Sequence, residues 1–110
     1  MPRQVLLIDL VDDAAAIDRY ERWHAAGAVP PAVCADIRES GILAMEIYRS
    51  GNRLVMVMET REDYAPTRET IEAVQEWESR MDSVQRPLPW ADADAKWTPA
   101  ARIFSLAEQP

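Results

Sequence analysis

The sequence predicts an α+β fold: a ferredoxin-like split βαβ sandwich of the dimeric α+β barrel type, with an antiparallel sheet and helices on one face. Three observations carry this expectation. Apolar, branched runs alternate with amphipathic stretches in the order β-α-(α)-β-β-α-β along 110 residues. Two strand-like runs are separated only by Ser50-Gly51-Asn52, whose Gly-Asn pair is a two-residue hairpin signal. The third strand is apolar on both faces, Leu54, Met56 and Met58 on one and Val55 and Val57 on the other.

The elements follow in chain order. Residues 5–11 are almost continuously apolar and short enough for a buried strand. Asp12 and Asp13 offer an N-cap, and 14–25 reads as a helix with Ile17, Tyr20 and His24 along one face. After a break at Gly27, Pro30-Pro31 suits the first turn of a second helix segment. Val33, Cys34 and Ile37 form its apolar face, and Gly41 is placed to end it. Residues 42–48 and 53–60 are the hairpin strands. Pro66 opens a further helix whose inner face would carry Ile71, Val74, Glu78 and Met81, with Trp77 at its margin. A Pro-containing stretch over 85–99 holds Trp90 and Trp97, and the chain closes in a short strand around Ile103, Phe104 and Leu106. One domain, 1–110, is expected.

The first strand is also apolar on both faces, Val5 and Leu7 against Leu6, Ile8 and Leu10. Helices cover only one side of such a sheet, so the other side predicts a homodimer packed sheet on sheet. A net charge of −7 without a Lys/Arg cluster argues against a nucleic-acid or anionic-membrane surface. No apolar run approaches a bilayer-spanning length, and the start of the chain lacks a signal peptide's apolar region. The single Cys34 excludes an intramolecular disulfide and suits a reducing compartment. A cytoplasmic setting is expected.

For chemistry, the lone His24 stands out. Tyr20 and His24, four apart, share a helix face one turn from each other, flanked by Trp23. Imidazole titrates nearest neutrality and can both give and take a proton. Many lone histidines on amphipathic helices only pack or face water, so spacing leaves that role open. No His pair, CxxC or HExxH supports a zinc site, and no cofactor is expected; a weak carboxylate-bound magnesium stays open. Cys34 reads as an inert thiol on an apolar helix face. Four tryptophans suit a sugar pocket, since indole faces pack on sugar C–H faces while carboxylates bind hydroxyls. Each could equally be a core residue. Trp77 is the best candidate because Glu78 follows it on an inward-leaning face, where a ligand hydroxyl would partner the carboxylate. Glu46 raises the same question but could reach solvent at a sheet edge.

The order of motifs resembles the L-rhamnose mutarotase family over nearly the whole chain. The matching segments are Tyr20-x-x-x-His24, Val29-Pro30-Pro31, residues 40–48 (SGILAMEIY), 52–59 (NRLVMVME), 75–81 (QEWESRM) and 103–106 (IFSL). The resemblance implies a dimeric ferredoxin-type enzyme that interconverts the α and β anomers of a 6-deoxyhexose without cofactor. It assigns His24 as catalytic and Tyr20 and Trp77 as sugar contacts. It also marks departures. Glu78 stands where the family carries a second tryptophan, Met45 where it carries a sugar-contacting tyrosine, and Val29-Pro30-Pro31 where it carries Trp-Pro-Glu. These point toward L-fucose or a related 6-deoxy sugar as readily as L-rhamnose. Two other readings share the fold or the residues: a cofactor-free monooxygenase or decarboxylase of the dimeric α+β barrel class, and a non-catalytic small-ligand module.

Overall fold

A computed structural model describes residues 2–64 and 71–110; Pro66, expected to open the last helix, lies outside them. The elements are β1 (Arg3–Leu10), α1 (Ala14–Trp23), α2 (Pro31–Glu39), β2 (Ile42–Ser50), β3 (Arg53–Thr60), α3 (Glu72–Asp82), β4 (Gln85–Arg86) and β5 (Thr98–Pro99). The sheet runs β2-β3-β1-β4 with antiparallel neighbours, which is the split-βαβ order expected. β5 also pairs with β1, so one edge of β1 is shared by two short strands, β4 at Asp9–Leu10 and β5 at Leu6–Leu7.

The hairpin forms as its turn residues dictate. Ser50 pairs with Arg53, and Gly51 takes φ +59° while no other residue type among those described has positive φ. A positive φ at the first central position alone matches a type II′ turn, whose twist suits the flanking strands. Farther along, β2 slips by one residue between Ile42 and Ala44, so Leu43 is extra. Such a bulge re-aims the start of an edge strand.

Period-2 alternation decides the layers. Ile8, Leu10, Leu54 and Met58 point to the helix side and are almost completely buried. With Tyr20, Val33, Trp77, Met81 and Val84 most of them form the core cluster. Removing the side chain of Leu54, 1% exposed, to leave Ala would cost about 2–5 kcal/mol, the usual range for a core leucine. The opposite face carries Val5, Leu7, Val55 and Val57, aligned as cross-strand pairs Val5–Val57 and Leu7–Val55. All four are only half-buried, because no helix among the described residues covers them.

Two expectations are corrected. Ile103, Phe104 and Leu106 form no strand: they are 96%, 62% and 76% exposed, and the chain ends in a 3₁₀ turn over Leu106–Glu108. The edge of β1 that such a strand would use is already held by Thr98–Pro99. On α3 the inner face is rotated from the one expected. Trp77 and Met81 are buried while Ile71, at the N-cap, is 51% exposed and Glu78 is exposed rather than packed in the core.

Candidate active site

A cavity of about 540 Å³ opens between the helices and the sheet, within the usual range for small-molecule sites. α1 supplies Tyr20 and the residue just past its end, His24; α3 supplies Trp77, Glu78 and Met81; β4 supplies Gln85. The facing wall is largely apolar, built from Val33, Cys34 and Ile37 of α2 with Met45 and Ile47 of β2, and Arg38 near the end of α2 adds one cation to it. Trp97 closes the rim just before β5. Most polar groups therefore gather on the α1, α3 and β4 side, while the α2 and β2 side is mainly hydrocarbon with Arg38 as its charged group. That division suits a ring with hydroxyls on one edge and C–H groups or a methyl on another.

The end of α1 sets the central geometry. Asp13 caps the helix start, its carboxylate accepting from the Ala16 amide at 2.9 Å. The helix stops at Trp23, and His24 is its C-cap. Nδ1 of His24 lies 2.7 Å from the Tyr20 carbonyl oxygen. A carbonyl can only accept, so in the neutral ring Nδ1 carries the proton and Nε2 keeps a free lone pair. Burial pushes the His24 pKa below its ordinary 6.5, against the opposing pull of the Tyr20 carbonyl. The imidazole is thus neutral and basic at Nε2 near neutral pH.

Tyr20 stacks on the imidazole, with ring centroids 4.1 Å apart, and Trp77 meets it edge-on at 5.1 Å. The phenol is 3% exposed and its pKa is pushed up to about 12, chiefly by burial, with a hydrogen bond from Gln85 lowering it and the Glu78 charge raising it. The Gln85 amide approaches the Tyr20 hydroxyl at 3.5 Å as a donor, so the phenolic O–H remains available to a ligand. Glu78 needs no ligand to satisfy it: its side chain is 51% exposed and accepts from Lys96 at 2.7 Å. It still lines the mouth of the cavity.

Other sequence candidates fall elsewhere. Trp23 packs beneath the Arg80 guanidinium, which lies 5.5 Å from its ring and 5.4 Å from that of Trp77. Trp90 is 63% exposed beside Arg53. Glu46 points to the helix-free face and accepts from the Tyr48 hydroxyl. Cys34 is a half-buried free thiol on the cavity wall rather than a core residue. Gln85 escaped the sequence reading. Its register opposite Leu10 turns it to the buried face, and nothing in a two-residue strand announces that. Among the described residues, no group of three or more His, Cys, Asp or Glu could hold a metal ion, and no helix is long and apolar enough to cross a membrane.

The L-rhamnose mutarotase family model matches residues 3–106. The chain belongs to this family. It is a carbohydrate isomerase that interconverts sugar anomers, and the resemblance of its motifs is borne out. A relative from Xanthomonas campestris pv. campestris, an L-fucose mutarotase, is 43% identical over 113 residues, covering 98% of this chain and 90% of its own. The crystal structure of an L-rhamnose mutarotase from Formosa agariphila superposes with a TM-score of 0.70 at 18% identity, over 96% of this chain and 99% of that one. At that identity the likeness bears on the fold, and it bears out the ferredoxin-like architecture.

Proposed function

We propose that this mutarotase acts on L-fucose or a closely related 6-deoxyhexose, with His24 as the proton-transfer group. The observation that carries the mechanism is the Nδ1 contact with the Tyr20 carbonyl, which leaves Nε2 as a base inside the cavity. Nε2 takes the proton of the anomeric hydroxyl as the bond from C1 to the ring oxygen breaks. The ring oxygen receives a proton from the Tyr20 phenol or from the imidazolium itself. Rotation about C1–C2 in the open aldehyde exposes its other face, and closure reverses both transfers. No electrons change hands, and general acid–base help of the usual size is sufficient.

The choice of sugar rests on the departures from the family pattern. Met45 and Glu78 both line the cavity, where an aromatic pair would otherwise present ring faces to the sugar. The relative at 43% identity is an L-fucose mutarotase. Anomer exchange measured by saturation-transfer NMR across L-fucose, L-rhamnose and their relatives tests the reading. Fastest exchange with L-fucose is expected; L-rhamnose as the fastest substrate would overturn it.

The working unit is a homodimer that buries the helix-free face of the sheet, supported by its half-buried valines and by the exposed C-terminal Ile103 and Phe104. A single free thiol suits the cytoplasm as the compartment of the reaction.

A further inference from the structure

Glu78 and Asp82 stand four apart on α3, and like charges at that spacing repel. Their side chains are 51% and 56% exposed, so each could relieve the repulsion by swinging into water. Instead both converge on one cation. Lys96 Nζ lies 2.7 Å from Glu78 and 2.5 Å from Asp82. That lysine is held on a short tether. The Ala95 amide closes a turn onto the Asp92 carbonyl, Trp97 lines the cavity, and Thr98–Pro99 pair with Leu6 and Leu7 of β1. The ammonium is therefore delivered to α3 by a segment whose next residues are fixed to the sheet. A lone exposed pair contributes little to stability, and the consequence to look for is positional.

We propose that Lys96 is a specificity-setting positioning residue, clamping Glu78 against Asp82 so that the Glu78 carboxylate stays at the cavity mouth as a fixed acceptor for a sugar hydroxyl. The proposal rests on Glu78 being a sugar contact. Without the clamp, Glu78 repels Asp82, turns outward and no longer meets the hydroxyl in one geometry. Lys96 itself does not line the cavity, so it acts through Glu78 and not on the reacting atoms.

The test is L-fucose anomer exchange as a function of sugar concentration for Lys96→Met, Lys96→Arg, Glu78→Gln and the double variant Glu78→Gln/Lys96→Met. Lys96→Met keeps the stem and removes the charge. It should raise KM by about fivefold, about 1 kcal/mol, while kcat stays within about twofold. Lys96→Arg should restore most of the affinity, and Glu78→Gln should raise KM alone. The double variant should be no worse than Glu78→Gln, because a clamp without its carboxylate has nothing left to position. An unchanged KM in Lys96→Met would overturn the clamp while leaving Glu78 as a contact. So would a KM penalty of the same size in the Glu78→Gln background. If Glu78→Gln itself leaves KM unmoved, the contact and the clamp both fall.

Discussion

Because Nδ1 of His24 is committed to the Tyr20 carbonyl, the tautomer that the proposed proton abstraction requires is set by backbone rather than by a neighbouring carboxylate. His24→Asn keeps a side chain of similar size with hydrogen-bonding capacity, so fold and most sugar affinity should survive. Anomer exchange should fall by roughly 10²–10⁴, the usual share of general acid–base catalysis. Tyr20→Phe should cost less, since the stacked ring remains. The wild-type rate should also decline toward acid pH as Nε2 is protonated, at a pH below the ordinary 6.5 because burial lowers the His24 pKa. Stability follows the same sign. The unfolded chain binds the proton first, so the contribution is present above about pH 6.5 and is lost as pH falls through the lower folded value. Urea midpoints at pH 7.5 and 5 should therefore differ less for the Asn variant than for the wild type; a stable, fully active His24→Asn would end the assignment. Specificity belongs to this scale too. Replacing Glu78 by Trp and Met45 by Tyr together should move the ratio of exchange rates toward L-rhamnose, and an unmoved ratio would remove both residues as determinants. Of these side chains, Tyr20, His24, Trp77, Glu78 and Met45 were legible in the sequence and all line the cavity. Gln85, which also lines the cavity, and Lys96, which meets Glu78 from outside it, were not, because each is placed by a partner distant in sequence, Leu10 for one and α3 for the other.

Among the elements, the strongest sequence signals were local ones. β3 spans 53–60 as expected, because alternation over eight residues and a glycine turn need no long-range information. α2 likewise runs from Pro31 to Glu39, with Gly41 just beyond its Ser40 cap at φ +106°. The rotation of α3 was not legible. Trp77, Glu78 and Met81 fit an inner face almost equally by spacing, and the choice falls to Trp77 because its indole packs edge-on to His24 while Glu78 finds Lys96. The two turn glycines differ in what a side chain would meet. At Gly51 a Cβ has nothing within 4 Å, so Gly51→Ala should cost only the positive-φ backbone penalty, about 1–3 kcal/mol. At Gly41 the φ is farther from any region an L-residue favours, and a Cβ would lie 3.2 Å from the Tyr64 backbone. Gly41→Ala should therefore destabilise more than Gly51→Ala in parallel urea titrations. Equal midpoints would show that the α2–β2 corner relaxes around the methyl.

At the scale of the whole molecule, the single chain leaves apolar surface that its own helices do not reach. Val5–Val57 and Leu7–Val55 sit side by side on the helix-free face, and the strand expected at the C-terminus instead leaves Ile103 and Phe104 in solvent. That expectation rested on an apolar run alone, whereas Thr98–Pro99 occupy the edge of β1 that such a strand would use. The doubly apolar character of β1 and β3 was readable in the sequence, since alternation reports both faces at once. A second copy would bury these valines against their equivalents across a two-fold axis, so each substitution acts twice. Val55→Asp and Val57→Asp place a carboxylate at the centre of that patch, where an unpaired charge is costly to desolvate. In an isolated chain the same positions are half-buried toward solvent and should accept Asp with little loss. The two cases separate by light scattering with a denaturation curve on the same sample. A wild-type dimer that becomes a folded monomer, or unfolds, in the Asp variants supports the sheet-on-sheet interface. A monodisperse wild-type monomer at micromolar concentration would overturn it.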